Sequence, residues 1–214
     1  SAIYLLNDLV DIEADRKHQR KRFRPFAAGD FNPIEGSLAA LLMLVVGLGA
    51  SVLLLGWLML LVFATYIVLT TLYSTWLKQK AVVDVVVLTC LYTLRIIAGG
   101  VAIGATLSPW LLNFSMFFFV SLALMKRYTE LLQLSATGGD GSRGYRVSDM
   151  QAILPMGVAT AGLAVLTLTM YLNSDFVAQS YRAPEVLWLV APLVMFWVYR
   201  IWLKAVRDEM HDDP

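Results

Sequence analysis

Long stretches without a charged residue constrain the fold of this chain more than any other feature of its sequence. Residues 36–77 include 42 positions without Asp, Glu, Lys or Arg, residues 96–125 include 30, and residues 150–174 include 25. A helix needs about 20 apolar residues to cross a bilayer, so the first stretch can hold two spans joined by a tight hairpin. Because these stretches are much longer than barrel strands, we predict an all-α, polytopic transmembrane helix bundle.

The apolar stretches predict six complete membrane spans. They lie at residues 35–55, 57–77, 84–104, 109–134, 150–173 and 185–205. Residues 2–6 are also apolar but too few to cross a membrane, so we expect them to end a helix whose beginning is missing. The chain is thus expected to form a single transmembrane domain over residues 1–214, as a fragment of a longer bundle.

A cluster of amide and carboxylate side chains follows the short N-terminal apolar segment. On a helix, Asn7, Asp8, Asp11 and Asp15 fall within an arc of roughly 100°. Oxygen ligands of this kind suit Mg²⁺, and the basic run at residues 16–24 could hold the phosphates of a substrate. The alternative is a solvated acidic helix end followed by a basic loop.

The positions of Lys and Arg predict which side of the membrane each connection occupies. Counted along alternate connections, 15 of the 17 basic residues lie on one side, Arg182 lies on the other, and Arg95 lies within a span. By the positive-inside rule the crowded side is cytoplasmic. We therefore expect a multi-pass inner-membrane protein whose Asp cluster, with any chemistry that it supports, faces the cytoplasm.

A second charged group lies at the start of the third complete span. Asp84 and Arg95 are eleven residues apart, which places them about 20° apart in phase on a helix and roughly 16 Å apart along it. An Arg within a span should face a polar cavity or a partner, and it is a functional hypothesis by default. The alternative is a structural Arg paired with a carboxylate or with helix carbonyls.

A third charged group, Lys126-Arg127-Tyr128-Thr129-Glu130, ends the fourth span. It leads into a Gly-rich loop, residues 137–146, whose remaining positions include basic and aromatic residues. Such a loop could cover a phosphate site as a lid. It could equally be a solvated connector with Lys and Arg side chains at the membrane edge.

The motif Asn7-Asp8-x-x-Asp11-x-x-x-Asp15, the basic loop after it and a second Asp motif two spans later resemble the UbiA superfamily of intramembrane prenyltransferases. The resemblance covers essentially the whole chain. It implies nine transmembrane helices around a central cavity, with two Asp-rich motifs that hold Mg²⁺ and a diphosphate. Against nine helices, this chain would lack the first and the last.

The second motif departs from the commonest pattern of that superfamily, because Leu88 stands where a second acidic residue is usual. Together with Asp84, three further motifs resemble the branch that includes decaprenyl-phosphate phosphoribosyltransferase. They are Lys21-Arg22-x-Arg24-Pro25, Tyr73-Ser74-x-x-Leu77-Lys78 and Leu94-Arg95-x-x-Ala98-Gly99-Gly100. In that branch the donor is phosphoribosyl pyrophosphate and the acceptor is a polyprenyl phosphate. Extra cations suit two phosphorylated substrates.

The resemblance implies roles for individual residues. Asp8, Asp11 and Asp84 would be catalytic, with Asn7, Asp8, Asp11, Asp15 and Asp84 at Mg²⁺, and Asp84 could instead orient a ribose hydroxyl. The residues expected to bind phosphate or substrate are Lys17, Lys21, Arg22, Arg24, Tyr73, Lys78, Arg95, Lys126 and Arg127.

Three functions follow from these expectations. The first is a Mg²⁺-dependent phosphoribosyltransferase that acts on a polyprenyl phosphate. The second is a prenyltransferase that moves a polyprenyl group from its diphosphate to an aromatic or other small acceptor. The third is a transporter or a non-catalytic membrane module, whose intramembrane charges would face one another without a pocket. The expected partners are the membrane, the lipid and the small substrate, with no nucleic acid.

Overall fold

The computed structural model describes most of the chain from Pro25 onwards. The described residues are 25–181 and 183–210, together with Leu5, Leu9, Ile12, Arg16 and Phe23. The structure divides into two compact units. One comprises Ser1–Ser74 with Val101–Gly104, and the other comprises Thr75–Gly100 with Ala105–Pro214.

The first unit carries two long apolar helices. A short helix α1 (Pro25–Ala28) precedes α2 (Pro33–Leu55) and α3 (Trp57–Thr75). Helix α2 begins at Pro33 because the Asn32 side chain accepts a hydrogen bond from the backbone N–H of Ile34, at 3.1 Å. Gly56 alone separates α2 from α3 and has a φ of 80°, a conformation that glycine adopts readily. The predicted tight connection between the first two spans is therefore confirmed.

The second unit contains the remaining elements. They are a 3₁₀ turn (Leu77–Gln79), α4 (Val83–Ile103), α5 (Pro109–Ala136), β1 (Gly141–Ser142), β2 (Tyr145–Arg146), a second 3₁₀ turn (Val147–Asp149), α6 (Met150–Leu172), α7 (Asp175–Ser180), α8 (Pro184–Leu187) and α9 (Val190–Val206). The two strands form an antiparallel hairpin between α5 and α6, in the loop that the sequence marks by its glycines. The last residues of α4 group with the first unit.

Among the described residues, six segments are long and apolar enough to cross a membrane. They are Pro33–Leu55, Trp57–Thr75, Val83–Ile103, Pro109–Ala136, Val147–Leu172 and Pro184–Val206. Each predicted span agrees with one of these segments to within three residues at either end. Many large apolar side chains on these helices are exposed, as expected for surfaces that contact lipid. The predicted all-α, polytopic membrane bundle is confirmed.

A buried chain of two hydrogen bonds joins α5, α6 and α9. The Trp202 indole N–H donates to the Ser121 hydroxyl at 2.9 Å, and that hydroxyl donates to the backbone carbonyl of Gly157 at 2.8 Å. Gly157 lets the indole approach the α6 backbone, since a Cβ built there would lie 2.1 Å from a Trp202 ring carbon. Close approach at small residues and interhelical hydrogen bonds both stabilise helix contacts in membranes.

Replacement of Gly157 by Ala is expected to lower the free energy of unfolding by about 1–3 kcal/mol, because the Trp202 ring must shift to admit the methyl group. Titration with SDS in mixed micelles measures the loss. Gly99→Ala is the matched control, since a Cβ there meets no described atom within 4 Å. Equal losses in the two variants would contradict the packing role of Gly157.

Candidate functional site

The structure describes only part of the predicted site. Tyr73, Lys78, Asp84, Arg95, Lys126 and Arg127 are among the described residues. The remaining predicted site residues lie outside them, and their roles stay predictions from the sequence. They are Asn7, Asp8, Asp11, Asp15, Lys17, Lys21, Arg22 and Arg24.

Asp84 lies in the first turn of α4 and is fully buried, with 0% of its surface exposed. One carboxylate oxygen, Oδ1, accepts a hydrogen bond from the Tyr145 hydroxyl at 2.7 Å. The other, Oδ2, lies 2.6 Å from Arg127 Nε, and the Arg127 side chain is 2% exposed. Burial of a carboxylate costs free energy unless the group is paired, and these two partners offset part of that cost.

Arg127, near the end of α5, joins Asp84 to a second carboxylate. Its guanidinium also contacts Oε2 of Glu130, one helical turn further along α5. The same Glu130 oxygen lies 3.9 Å from Nε of Arg143, in the loop between β1 and β2. Acidic and basic groups therefore alternate from α4 through α5 to this loop, which we call the polar network.

Tyr145 connects the loop to α4. The side chain is only 5% exposed, and its oxygen accepts a hydrogen bond from the backbone N–H of Val82 at 2.6 Å while it donates to Asp84. Burial, and secondly the hydrogen bond to Asp84, raise the pKa of the Tyr145 hydroxyl well above its ordinary value. The hydroxyl therefore remains a hydrogen-bond donor at neutral pH.

The loop packs closely against the turn before α4. Gly144 has a φ of 78°, and a Cβ built on it would lie 2.5 Å from the carbonyl oxygen of Gln79. Val82 has a φ of 67°, which is strained for a β-branched residue. Gly144 and Tyr145 are thus docked on residues 79–84, so this part of the loop is more than a solvated connector.

The other predicted binding residues occupy different surroundings. Lys78 is half-buried in the 3₁₀ turn just before Gln79, and Lys126 is half-buried beside Arg127 on α5. Arg95 is exposed on α4, with its guanidinium 5.3 Å from the centre of the Tyr92 ring. Tyr73 belongs to the first unit. Within the second unit, the structure therefore brings together Asp84 and Arg127, with Lys78 on the adjoining turn.

The described residues show how far this part of the chain could hold a metal ion. Among them, no three His, Cys, Asp or Glu side chains are grouped so that they could hold a metal ion. Asp84 is the described member of the predicted ligand set, and Arg127 and Tyr145 engage its two oxygens. This part of the chain does not by itself fit a metal centre, and a metal role for Asp84 stays a prediction.

Sequence reasoning assigned roles to Asp84 and Arg127 of the polar network, but it assigned none to Glu130 or to Tyr145. The only signal was an aromatic residue within a Gly-rich, basic loop, which is also typical of membrane-edge connectors. Helical phase placed Asp84 and Arg95 on one face of a helix, whereas in the structure the Asp84 carboxylate contacts Arg127. That pairing joins two helices and cannot be deduced from the spacing within one.

The fold and the polar network together define the class of this protein: an all-α membrane bundle that buries charged and polar side chains in its second unit. The sequence profile of the UbiA prenyltransferase family matches residues 1–213. This chain belongs to that family, and the resemblance seen in the sequence is confirmed.

Curated relatives are similar over all or part of the chain. The uncharacterized protein y4nM of Sinorhizobium fredii is 44% identical over 100% of this chain and 42% of its own length. The nodulation protein NoeC of Azorhizobium caulinodans is 34% identical over 100% of this chain and 70% of its own. Decaprenyl-phosphate phosphoribosyltransferase of Mycolicibacterium smegmatis is 42% identical over 64% of this chain and 43% of its own. The chain thus spans less than half the length of the first and third.

A solved structure shares the fold. The UbiA homolog from Archaeoglobus fulgidus, determined with GPP and Mg²⁺ bound, superposes with a TM-score of 0.72. The match covers 94% of this chain and 69% of that one, with 16% sequence identity. This likeness establishes the architecture of the bundle.

Proposed function

We propose that this chain forms part of an intramembrane transferase that moves a phosphoribosyl group from phosphoribosyl pyrophosphate to a polyprenyl phosphate. The observation that carries the proposal is the 42% identity with a decaprenyl-phosphate phosphoribosyltransferase over 64% of the chain. The second motif supports it, because Leu88 packs against the apolar core of the second unit and offers no second carboxylate.

The proposed reaction needs no strong general base. An oxygen of the lipid phosphate, already an anion, attacks the ribose carbon that bears the pyrophosphate. A bond forms from that oxygen to the carbon, the bond from the carbon to pyrophosphate breaks, and the bonding electron pair leaves with pyrophosphate. Positioning two phosphorylated molecules and neutralising their charge are then the main tasks of the protein.

Basic side chains supply that neutralisation. We infer that Lys17, Lys21, Arg22, Arg24, Lys78, Arg95 and Lys126 contact the phosphates, with Tyr73 at the substrate. Arg127 uses Nε and Nη1 for two carboxylates, so a phosphate would have to be bound by its remaining N–H groups. A metal ion, when bound, supplies charge to the pyrophosphate, and we expect Asn7, Asp8, Asp11 and Asp15 to hold Mg²⁺.

We infer that the site faces the cytoplasm. Of the 17 Lys and Arg residues, 15 lie on one side when connections are counted alternately, and this excess predicts the cytoplasmic side. Phosphoribosyl pyrophosphate is a soluble, highly charged molecule, so a site on this side could receive it without transport. The lipid substrate would reach the site from within the membrane.

A second candidate function is the transfer of a polyprenyl group from its diphosphate to a small acceptor. It is favoured by membership of the prenyltransferase family and by the GPP bound to the Archaeoglobus fulgidus homolog. The two functions differ in which lipid is consumed, because one uses a monophosphate as acceptor and the other a diphosphate as donor.

The test offers each substrate pair to the purified protein in lipid nanodiscs, with Mg²⁺ or with EDTA. One pair is phosphoribosyl pyrophosphate with polyprenyl phosphate, and the other is polyprenyl diphosphate with 4-hydroxybenzoate. We expect a lipid heavier by one phosphoribosyl group, only from the first pair and only with Mg²⁺. A prenylated aromatic product would establish the second function instead.

A further inference from the structure

We propose that Tyr145 and Asp84 are positioning residues that clamp the loop at residues 138–149 onto the turn that carries Lys78. In this role the Asp84 carboxylate acts through Tyr145 and Arg127. This role differs from that of a metal ligand. Only its expected effect on turnover rests on the proposed function.

The contacts of the Tyr145 hydroxyl carry the proposal. This single oxygen donates to Asp84 Oδ1 and accepts from the backbone N–H of Val82, so it ties the loop to two points of the segment that starts α4. Tyr145 and Asp84 are 61 residues apart in the sequence and both are buried. A hydrogen bond that involves a charged partner is among the stronger ones in proteins.

The backbone on both sides of the contact shows how closely the loop fits. Gly144 approaches the Gln79 carbonyl at a distance that excludes a side chain. Val82 keeps a left-handed conformation that a β-branched residue rarely adopts alone. Such a conformation persists when several contacts hold it in place. The hydrogen bond that the Val82 N–H donates to the Tyr145 hydroxyl is one of these contacts.

The clamp fixes where cationic side chains lie. Lys78 precedes the clamped segment by a few residues, and Arg143 precedes Tyr145 by two and is paired with Glu130 through its Nε. Release of the loop would therefore change the position of Arg143 relative to Lys78. We infer that the clamp arranges these side chains around a phosphate-bearing substrate.

The first experiment measures hydrogen–deuterium exchange in residues 138–149 and needs no turnover. In the Tyr145→Phe variant we expect exchange there to accelerate about tenfold or more, because the hydroxyl loses two hydrogen bonds. Tyr128→Phe is the matched control, since that buried ring packs edge-on against Trp202 in the core. Unchanged exchange in Tyr145→Phe, or equal acceleration in both variants, would overturn the proposal.

The second experiment separates the clamp from a metal ligand. We expect Tyr145→Phe, Asp84→Asn and the double variant each to raise KM for phosphoribosyl pyrophosphate by about tenfold, with non-additive effects, as expected for partners in one network. The Mg²⁺ concentration for half-maximal activity should stay unchanged.

A higher Mg²⁺ requirement in Asp84→Asn but not in Tyr145→Phe would overturn the clamp in favour of a metal role. If the unmodified protein fails to use either substrate pair, the proposed function is wrong, and the exchange experiment still decides whether the clamp exists. Tyr145→Phe keeps the ring and leaves the Asp84–Arg127 pair in place, so it also serves if Asp84→Asn fails to fold.

Discussion

Replacement of Asp8 or Asp11 by Asn is expected to reduce turnover at least about a hundredfold, because each change removes an anionic ligand from the Mg²⁺ that we expect to neutralise the pyrophosphate. The substitution keeps the size of the side chain, so the helix bundle should remain folded. Initial rates of lipid product formation measure the effect, and the SDS midpoint of unfolding checks the fold.

Asp30→Asn is the control for loss of an acidic group. Asp30 is exposed in the turn between α1 and α2, and the change should leave turnover within a factor of two. Retained activity in either Asp8→Asn or Asp11→Asn would contradict the assignment of these residues to the metal.

Replacement of Arg127 by Met is expected to lower the free energy of unfolding by about 3–5 kcal/mol, because it leaves the Asp84 carboxylate buried beside an apolar side chain. Glu130 would lose a partner at the same time. The loss should appear as a lower SDS midpoint of unfolding.

Lys204→Met is the control that tests whether loss of any basic residue is sufficient to destabilise the protein. Lys204 is exposed in the last turn of α9, so this change should alter the unfolding free energy by no more than about 0.5 kcal/mol. The double variant Arg127→Met/Asp84→Asn removes both charges of the pair and should be more stable than Arg127→Met alone. A double variant that is less stable than Arg127→Met would contradict the ion pair as the cause.

The membrane spans could be predicted because a single physical requirement determines them. A helix that crosses lipid needs a long, predominantly apolar segment, and Glu35, Lys78 and Asp149 lie at or beside the ends of three such segments. Gly56, in the middle of the longest apolar stretch, provides the turn between the first two spans. Local sequence therefore carries nearly all the information about the spans.

The partners of Asp84 could not be predicted in the same way. Helical phase states which residues share a face, but it does not state which other helix or loop covers that face. Asp84 contacts Arg127 on the neighbouring helix and Tyr145 in a loop 61 residues away. Both contacts depend on the docking of α5 and the loop.

Gly157 illustrates the same limit in the apolar part of the bundle. The sequence alone does not distinguish Gly157 from other glycines within the spans, such as Gly99. The structure places the Trp202 indole against Gly157 and no described atom within 4 Å of a Cβ at Gly99. Which glycine is required depends on where a large side chain from another helix falls.

The most direct test of the proposed function follows two labels of the donor separately. Phosphoribosyl pyrophosphate carries radioactive phosphorus either on the sugar phosphate or in the pyrophosphate, and each form is incubated with polyprenyl phosphate, Mg²⁺ and the protein in nanodiscs. We predict that the sugar-phosphate label enters the lipid extract while the pyrophosphate label stays in water. Pyrophosphate label in the lipid, or no label there from either form, would contradict phosphoribosyl transfer.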